Sequence, residues 1–158
     1  MFRYAKSLVL LLSLVTVAGC DREFTKKPTA TNLAGTYLLG KHSETFLLRR
    51  KGYAKIPASE IRLGADYGIV ILNLPDCATN GFGKASGEFL RGEGRWKLEK
   101  AVPGWGLTLT INDGGSLRRG VYAGPWLGVR GRSAPYRLEV TIGDPDSGET
   151  LLYEKKAR

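Results

Sequence analysis

The sequence predicts an all-β domain, a small antiparallel β-barrel with a two-sheet β-sandwich as the alternative. Three observations carry this. Glycine supplies 21 of the 158 residues, about twice the usual share, and it gathers with Asn, Asp and Pro at short intervals. Between these turn signals apolar residues alternate with polar ones, the period of a half-buried strand. A sustained 3.6-residue period is missing, and only 43–48 and 57–61 offer a short helix.

In chain order, Gly35-Thr36-Tyr37 opens the first strand. Ile61 and Leu63 are expected to pair with the run Ile69-Val70-Ile71-Leu72 across a turn at 64–67. That run is apolar at every position, which predicts cover on both of its faces. Trp96 and Leu98 alternate with Arg95, Lys97 and Glu99, so Trp96 should point into the core. Leu107, Leu109 and Ile111 alternate with Thr108 and Thr110; Leu138, Val140 and Ile142 alternate with Arg137, Glu139 and Thr141. Residues 151–154 should return antiparallel to 136–142. Seven to nine short strands are most economically closed on themselves, because closure removes exposed edges.

The first residues carry a different signal. Arg3 and Lys6 precede an apolar run from Leu8 to Val17, and Val17-Ala18-Gly19 offers the small residues that a signal peptidase requires. The run is too short for roughly 30 Å of hydrocarbon, which takes about 20 residues. Val17-Ala18-Gly19-Cys20 resembles the lipobox of bacterial lipoproteins. The resemblance implies cleavage after Gly19, a lipid on Cys20 and a firm hold on the inner or outer membrane of a cell envelope, facing the periplasm. Residues 1–19 are then a cleaved signal, 20–34 the lipidated cysteine with a flexible tether, and 35–158 a single β domain.

Composition narrows the partners. Removal of residues 1–19 takes two of the 24 basic side chains and leaves 22 against 15 acidic ones, a formal +7. Such a balance suits anionic surfaces, but the basic residues are scattered, which is also how a solvated surface looks. Nucleic acid is not expected, since an exported protein would not meet it. With Cys20 committed to lipid, Cys77 has no partner in the chain and is expected to be buried.

Asn73-Leu74-Pro75-Asp76-Cys77, Gly94-Arg95-Trp96-Lys97-Leu98 and Gly143-Asp144-Pro145-Asp146-Ser147-Gly148 together resemble small Gram-negative lipoproteins of unassigned function. The likeness spans roughly 35–155 and implies no activity. The strand pattern is also lipocalin-like, although the Gly-x-Trp of true lipocalins is replaced by Gly35-Thr36-Tyr37.

Chemistry finds little purchase. His42 is the only histidine, so a histidine metal cluster cannot be assembled; a Ser-His-Asp hydrolase would have to use His42 as its base, and no Gly-x-Ser-x-Gly elbow accompanies it. The Gly-x-Gly pairs at 81/83 and 92/94 meet Ser86 and Lys97 at the third glycine position and open no helix, so they read as turns. Asp144, Asp146 and Glu149 bring three carboxylates together and suggest a shortened calcium loop. The same residues with Pro145 and Gly148 also make a hairpin turn, the favoured reading. No cofactor is expected. Trp105 and Trp126 follow Pro103-Gly104 and Gly124-Pro125, where an aromatic ring reaches the rim and anchors a partner contact. The expected function is a non-enzymatic, membrane-anchored module that binds an envelope protein. The alternatives are a lipocalin-like carrier of a small apolar ligand and an immunity or inhibitor lipoprotein.

Overall fold

The computed structural model describes residues 27–79, 82–101, 104–113, 115–122 and 127–157. Nine strands are present among them: β1 Gly35–Leu39, β2 Glu60–Leu63, β3 Gly68–Pro75, β4 Phe89–Ala101, β5 Gly104–Asp113, β6 Gly120–Tyr122, β7 Leu127–Arg130, β8 Arg137–Thr141 and β9 Thr150–Lys155. They lie in the order β4-β3-β2-β1-β9-β8-β7-β5, and β4 pairs back onto β5. Eight antiparallel strands therefore form a closed barrel, and the sandwich alternative is excluded. β6 extends the outer edge of β5 beyond the point where β7 leaves it.

Both expected hairpins form. Ile61 sits opposite Ile71 and Leu63 opposite Ile69, while Leu138 faces Tyr153 and Val140 faces Leu151. Alternation puts one side of each strand inside the ring. Tyr37, Ile61, Ile71, Leu107, Leu109, Leu138 and Tyr153 are all buried there, and a small barrel of this strand number is filled by such side chains. Interior polar atoms are satisfied: the Ser59 and Tyr153 hydroxyls lie 2.8 Å apart, and the Tyr37 hydroxyl donates to the Leu33 carbonyl at 2.7 Å. The run 69–72 departs from expectation. Ile69 and Ile71 are buried, but Val70 and Leu72 are only half-buried, because no second layer covers the outer wall of a barrel.

Two helices close the ends. α1 (Ala30–Leu33) is one turn, capped by the Thr29 hydroxyl, which accepts from the Asn32 amide. Leu33 is fully buried beneath it. The expected tether of 20–34 is thus corrected at its C-terminal end: the chain folds onto the barrel from Pro28, because Leu33 finds apolar surface to cover. Residues 20–26 lie outside the described residues.

α2 (Lys41–Arg50) is longer than the 43–48 helix expected, and 57–61 forms no helix but leads into β2. Its polarity suits the helix dipole, with Glu44 in the first turn and Arg49 and Arg50 in the last. Ser43 and Leu47, one turn apart, are its buried residues. The Ser43 hydroxyl accepts the Leu152 amide at 2.8 Å, completing the β9 backbone where β1 has ended. Lys51 then pins the helix end to Glu149 at 2.6 Å.

Antiparallel closure fixes which segments share an end. The start of β1 pairs beside the end of β9, with Tyr37 opposite Lys155. Both termini of the domain, the 64–67 turn, the β4–β5 hairpin and the 131–136 turn therefore occupy one end. α2, the 76–88 connection and the 142–149 turn occupy the other. Among the described residues no helix is long and apolar enough to cross a membrane.

Candidate functional site

Among the described residues buried apolar side chains and tyrosines occupy the barrel interior, and a groove open to a partner lies on its outer wall. A groove of about 360 Å³ runs across β7, β8 and β9, from the β4–β5 hairpin to the 142–149 turn. Its outward side chains follow from strand parity. Leu127, Val129, Leu138 and Val140 point inward, so Gly128, Arg130, Glu139 and Thr141 form the groove floor. A Cβ at Gly128 would meet nothing nearer than 3.8 Å, and its absence deepens the groove. Arg130 grips Glu139 across the strand pair through two hydrogen bonds, Nε–Oε2 at 3.0 Å and Nη2–Oε1 at 2.5 Å. This fork is the charge-assisted, geometrically fixed kind of pair.

Trp105 stands at one end of this groove. It was expected to project from the turn as a surface ring, and the structure corrects that in part. Trp105 continues the inward series of Leu107, Leu109 and Ile111, pairs with Val129 and packs half-buried against the core. It is half-buried and is among the residues that line the groove. The Lys27 ammonium lies 5.7 Å from the ring centroid, within the range of a cation–π contact. Trp126, the other expected anchor, lies outside the described residues, as do Val17, Ala18, Gly19 and Cys20.

Residues 144–149 form the expected turn. Asp144 caps a 3-10 turn (Pro145–Ser147) by accepting the Asp146 amide at 2.9 Å. Pro145 begins the turn and Gly148 ends it at φ 68°, a left-handed position that glycine takes without a Cβ penalty. Glu149 is turned away to Lys51. Asp144 and Glu149 are thus engaged by other groups, and no cluster of three metal-binding side chains occurs among the described residues.

Cys77 is fully buried, as expected, and carries a free thiol. Burial pushes its pKa up despite the nearby Tyr53 hydroxyl, which opposes nucleophilic use. His42 is exposed on α2, and the Gly-x-Gly glycines Gly83 and Gly92 sit in a turn and in β4.

Sequence reading missed a polar clasp around Asp76. One Asp76 oxygen accepts the hydroxyl of buried Tyr53. The other accepts both the amide and the hydroxyl of Ser86 at 2.7 Å. Tyr53 in turn accepts the Cys77 amide. The clasp ties the segment after α2 to the 76–88 connection. Partial burial works against the Asp76 charge, but the Tyr53 and Ser86 hydrogen bonds outweigh it and hold the carboxyl below its usual value. A carboxyl lowered by folding stabilises the fold above its unfolded pKa and loses that contribution as pH falls through the folded one. Asp76→Asn should therefore melt lower than wild type at neutral pH. The gap should begin to close as pH drops below about 4, the unfolded value, and vanish only below the lowered folded value, where both chains lack the charge. Melting curves measured between neutral and acid pH check this, and a gap that stays constant would refute the ionic role of Asp76.

The three motifs behind the lipoprotein resemblance take structural places. Asn73 adopts φ 53° at a β3 bulge and donates to the Ala58 carbonyl, Asp76 holds the clasp, Trp96 fills the core, and Gly148 ends the turn. No known protein family, characterised protein or solved structure matches the chain.

Proposed function

We propose that the protein is a lipid-anchored lipoprotein of a bacterial cell envelope whose β-barrel is a non-enzymatic binding module. The anchor reading rests on Val17-Ala18-Gly19-Cys20 with Arg3 and Lys6 upstream of an apolar run. The single structural observation that supports a binding role is the Trp105 groove. A groove lined by a half-buried tryptophan, an ordered Arg130–Glu139 pair and Gly128 is the kind of concave surface in which a protein partner buries an anchor. An envelope protein is the partner that suits a membrane-tethered domain. The interior favours this over a carrier of small apolar ligands, because Tyr37, Tyr153 and the leucines occupy the space that a carried molecule would need.

The anchor is tested by metabolic labelling with a fatty-acid analogue. The wild-type chain takes the label, and Cys20→Ser does not, remaining as precursor or soluble protein. Equal labelling of the two would overturn the lipoprotein assignment.

A further inference from the structure

We propose that the end of the barrel carrying both termini is itself a membrane contact, a basic rim that seats against anionic phospholipid headgroups. The proposal rests on the lipid-anchor reading for its orientation and on the fold for its surface.

Topology supplies the first argument. An even, closed antiparallel ring returns β9 beside the start of β1, so the N-terminal segment joins the barrel at that end and no other. Lys27 lies seven positions after Cys20, at most about 25 Å away when the chain is fully extended. A lipid on Cys20 would hold this end close to the headgroups, and Lys27 already lies over Trp105 at the rim.

Charge supplies the second. Lys27, Lys100, Arg132, Arg137, Lys155 and Lys156 lie at this end, contributed by the N-terminal segment, the β4–β5 hairpin, the 131–136 turn with the start of β8, and the C-terminus. Its carboxylates are fewer. Asp66 stands in the 64–67 turn, Glu154 lies beside Lys155, and Glu99 is held by Lys97 at 3.0 Å. The opposite end mixes the signs, with Asp144, Asp146 and Glu149 in one turn and Arg49 and Arg50 on α2. Sequence alone scatters these basic residues over 130 positions; closure of the barrel gathers them. A surface of this sign is attracted to anionic lipid within roughly a Debye length. Seated so, the barrel stands upright and the Trp105 groove opens sideways along the membrane. Its partner is then a protein in or against the same membrane.

The test uses the mature-length chain with Cys20→Ser, so that no acyl group contributes. Binding is measured to phosphatidylethanolamine vesicles containing phosphatidylglycerol and to phosphatidylcholine vesicles. The chain should bind the phosphatidylglycerol vesicles in a salt-sensitive manner and leave phosphatidylcholine alone. Lys100→Gln, Arg137→Gln and Lys156→Gln together should weaken that binding tenfold or more, given about fivefold for each basic group near the surface. Arg49→Gln, Arg50→Gln and Lys55→Gln at the far end should change it less than threefold, with both triple variants melting as the parent does. Equal losses in the two triple variants, or no preference for phosphatidylglycerol, would overturn the rim. Because the assay is free of lipidation, its failure leaves the labelling result of Cys20 standing, and the reverse also holds.

Discussion

Gly94→Ala is expected to cost about 3 kcal/mol or more and to lower the melting temperature by roughly 10 °C or more. Gly94 lies at the β4 bulge where the pairing with β5 shifts register. A Cβ placed there would stand 1.9 Å from the Thr110 carbonyl oxygen and 3.0 Å from the Ile111 Cα. Both are backbone atoms of the neighbouring strand, so no side-chain rotation relieves the clash, and β4 must move away from β5. That pairing is the one that closes the barrel. Gly128→Ala is the matched control, since its Cβ meets nothing nearer than 3.8 Å. Thermal melts of the two variants decide the matter; a Gly94→Ala barrel as stable as Gly128→Ala would show that β4 and β5 do not pack as described.

Trp96→Ala should cost about 3 to 5 kcal/mol, well beyond the loss from truncating the other described strand tryptophan. Trp96 is 3% exposed, its ring meets Tyr67 at 5.0 Å, and its indole donates to the Gly64 carbonyl at 3.2 Å. Its backbone amide also donates to the Tyr67 carbonyl at 2.9 Å. These contacts hold the 64–67 turn in place, including Tyr67 at φ 68°, a conformation that a bulky residue adopts only under tertiary constraint. Truncation removes core volume and loosens that turn together. Trp105→Ala loses a ring that is only half-buried and should cost about 1 to 2 kcal/mol, while weakening recovery of the proposed envelope partner. Denaturant unfolding of both variants, with partner recovery measured beside it, separates the two roles. Equal destabilisation would mean that Trp105 is core and not an anchor.

Much of the barrel was legible in the residues because its signals are short-ranged. Period-two alternation at 95–99, 107–111 and 137–142 marked three strands, and Pro145 with Gly148 specified the turn that joins the last two. The two helices were not legible to the same degree. α1 is a single turn that exists because Leu33 is covered, and α2 is held by Ser43 against β9 and by Lys51 against Glu149. Isolated helices of that length are marginal in water, so no local pattern announces them strongly. The Asp76 clasp was invisible for a similar reason: Tyr53, Asp76 and Ser86 are ordinary polar residues until the fold brings their segments together.

By itself the sequence determined the all-β class, the pairing of two hairpins, the burial of Trp96 and Cys77, and the turn chemistry of residues 144–149. Each depends on residues close in the chain, where backbone preference and alternation act directly. Only the tertiary structure decided between barrel and sandwich, through the β4–β5 pairing. It also decided that Trp105 packs half-buried against the core beside a groove, and that the two termini share an end with the dispersed basic residues. Those outcomes depend on closure of the ring, which brings together strands far apart in sequence; alternation assigns faces to each strand but carries no information on which strands become neighbours.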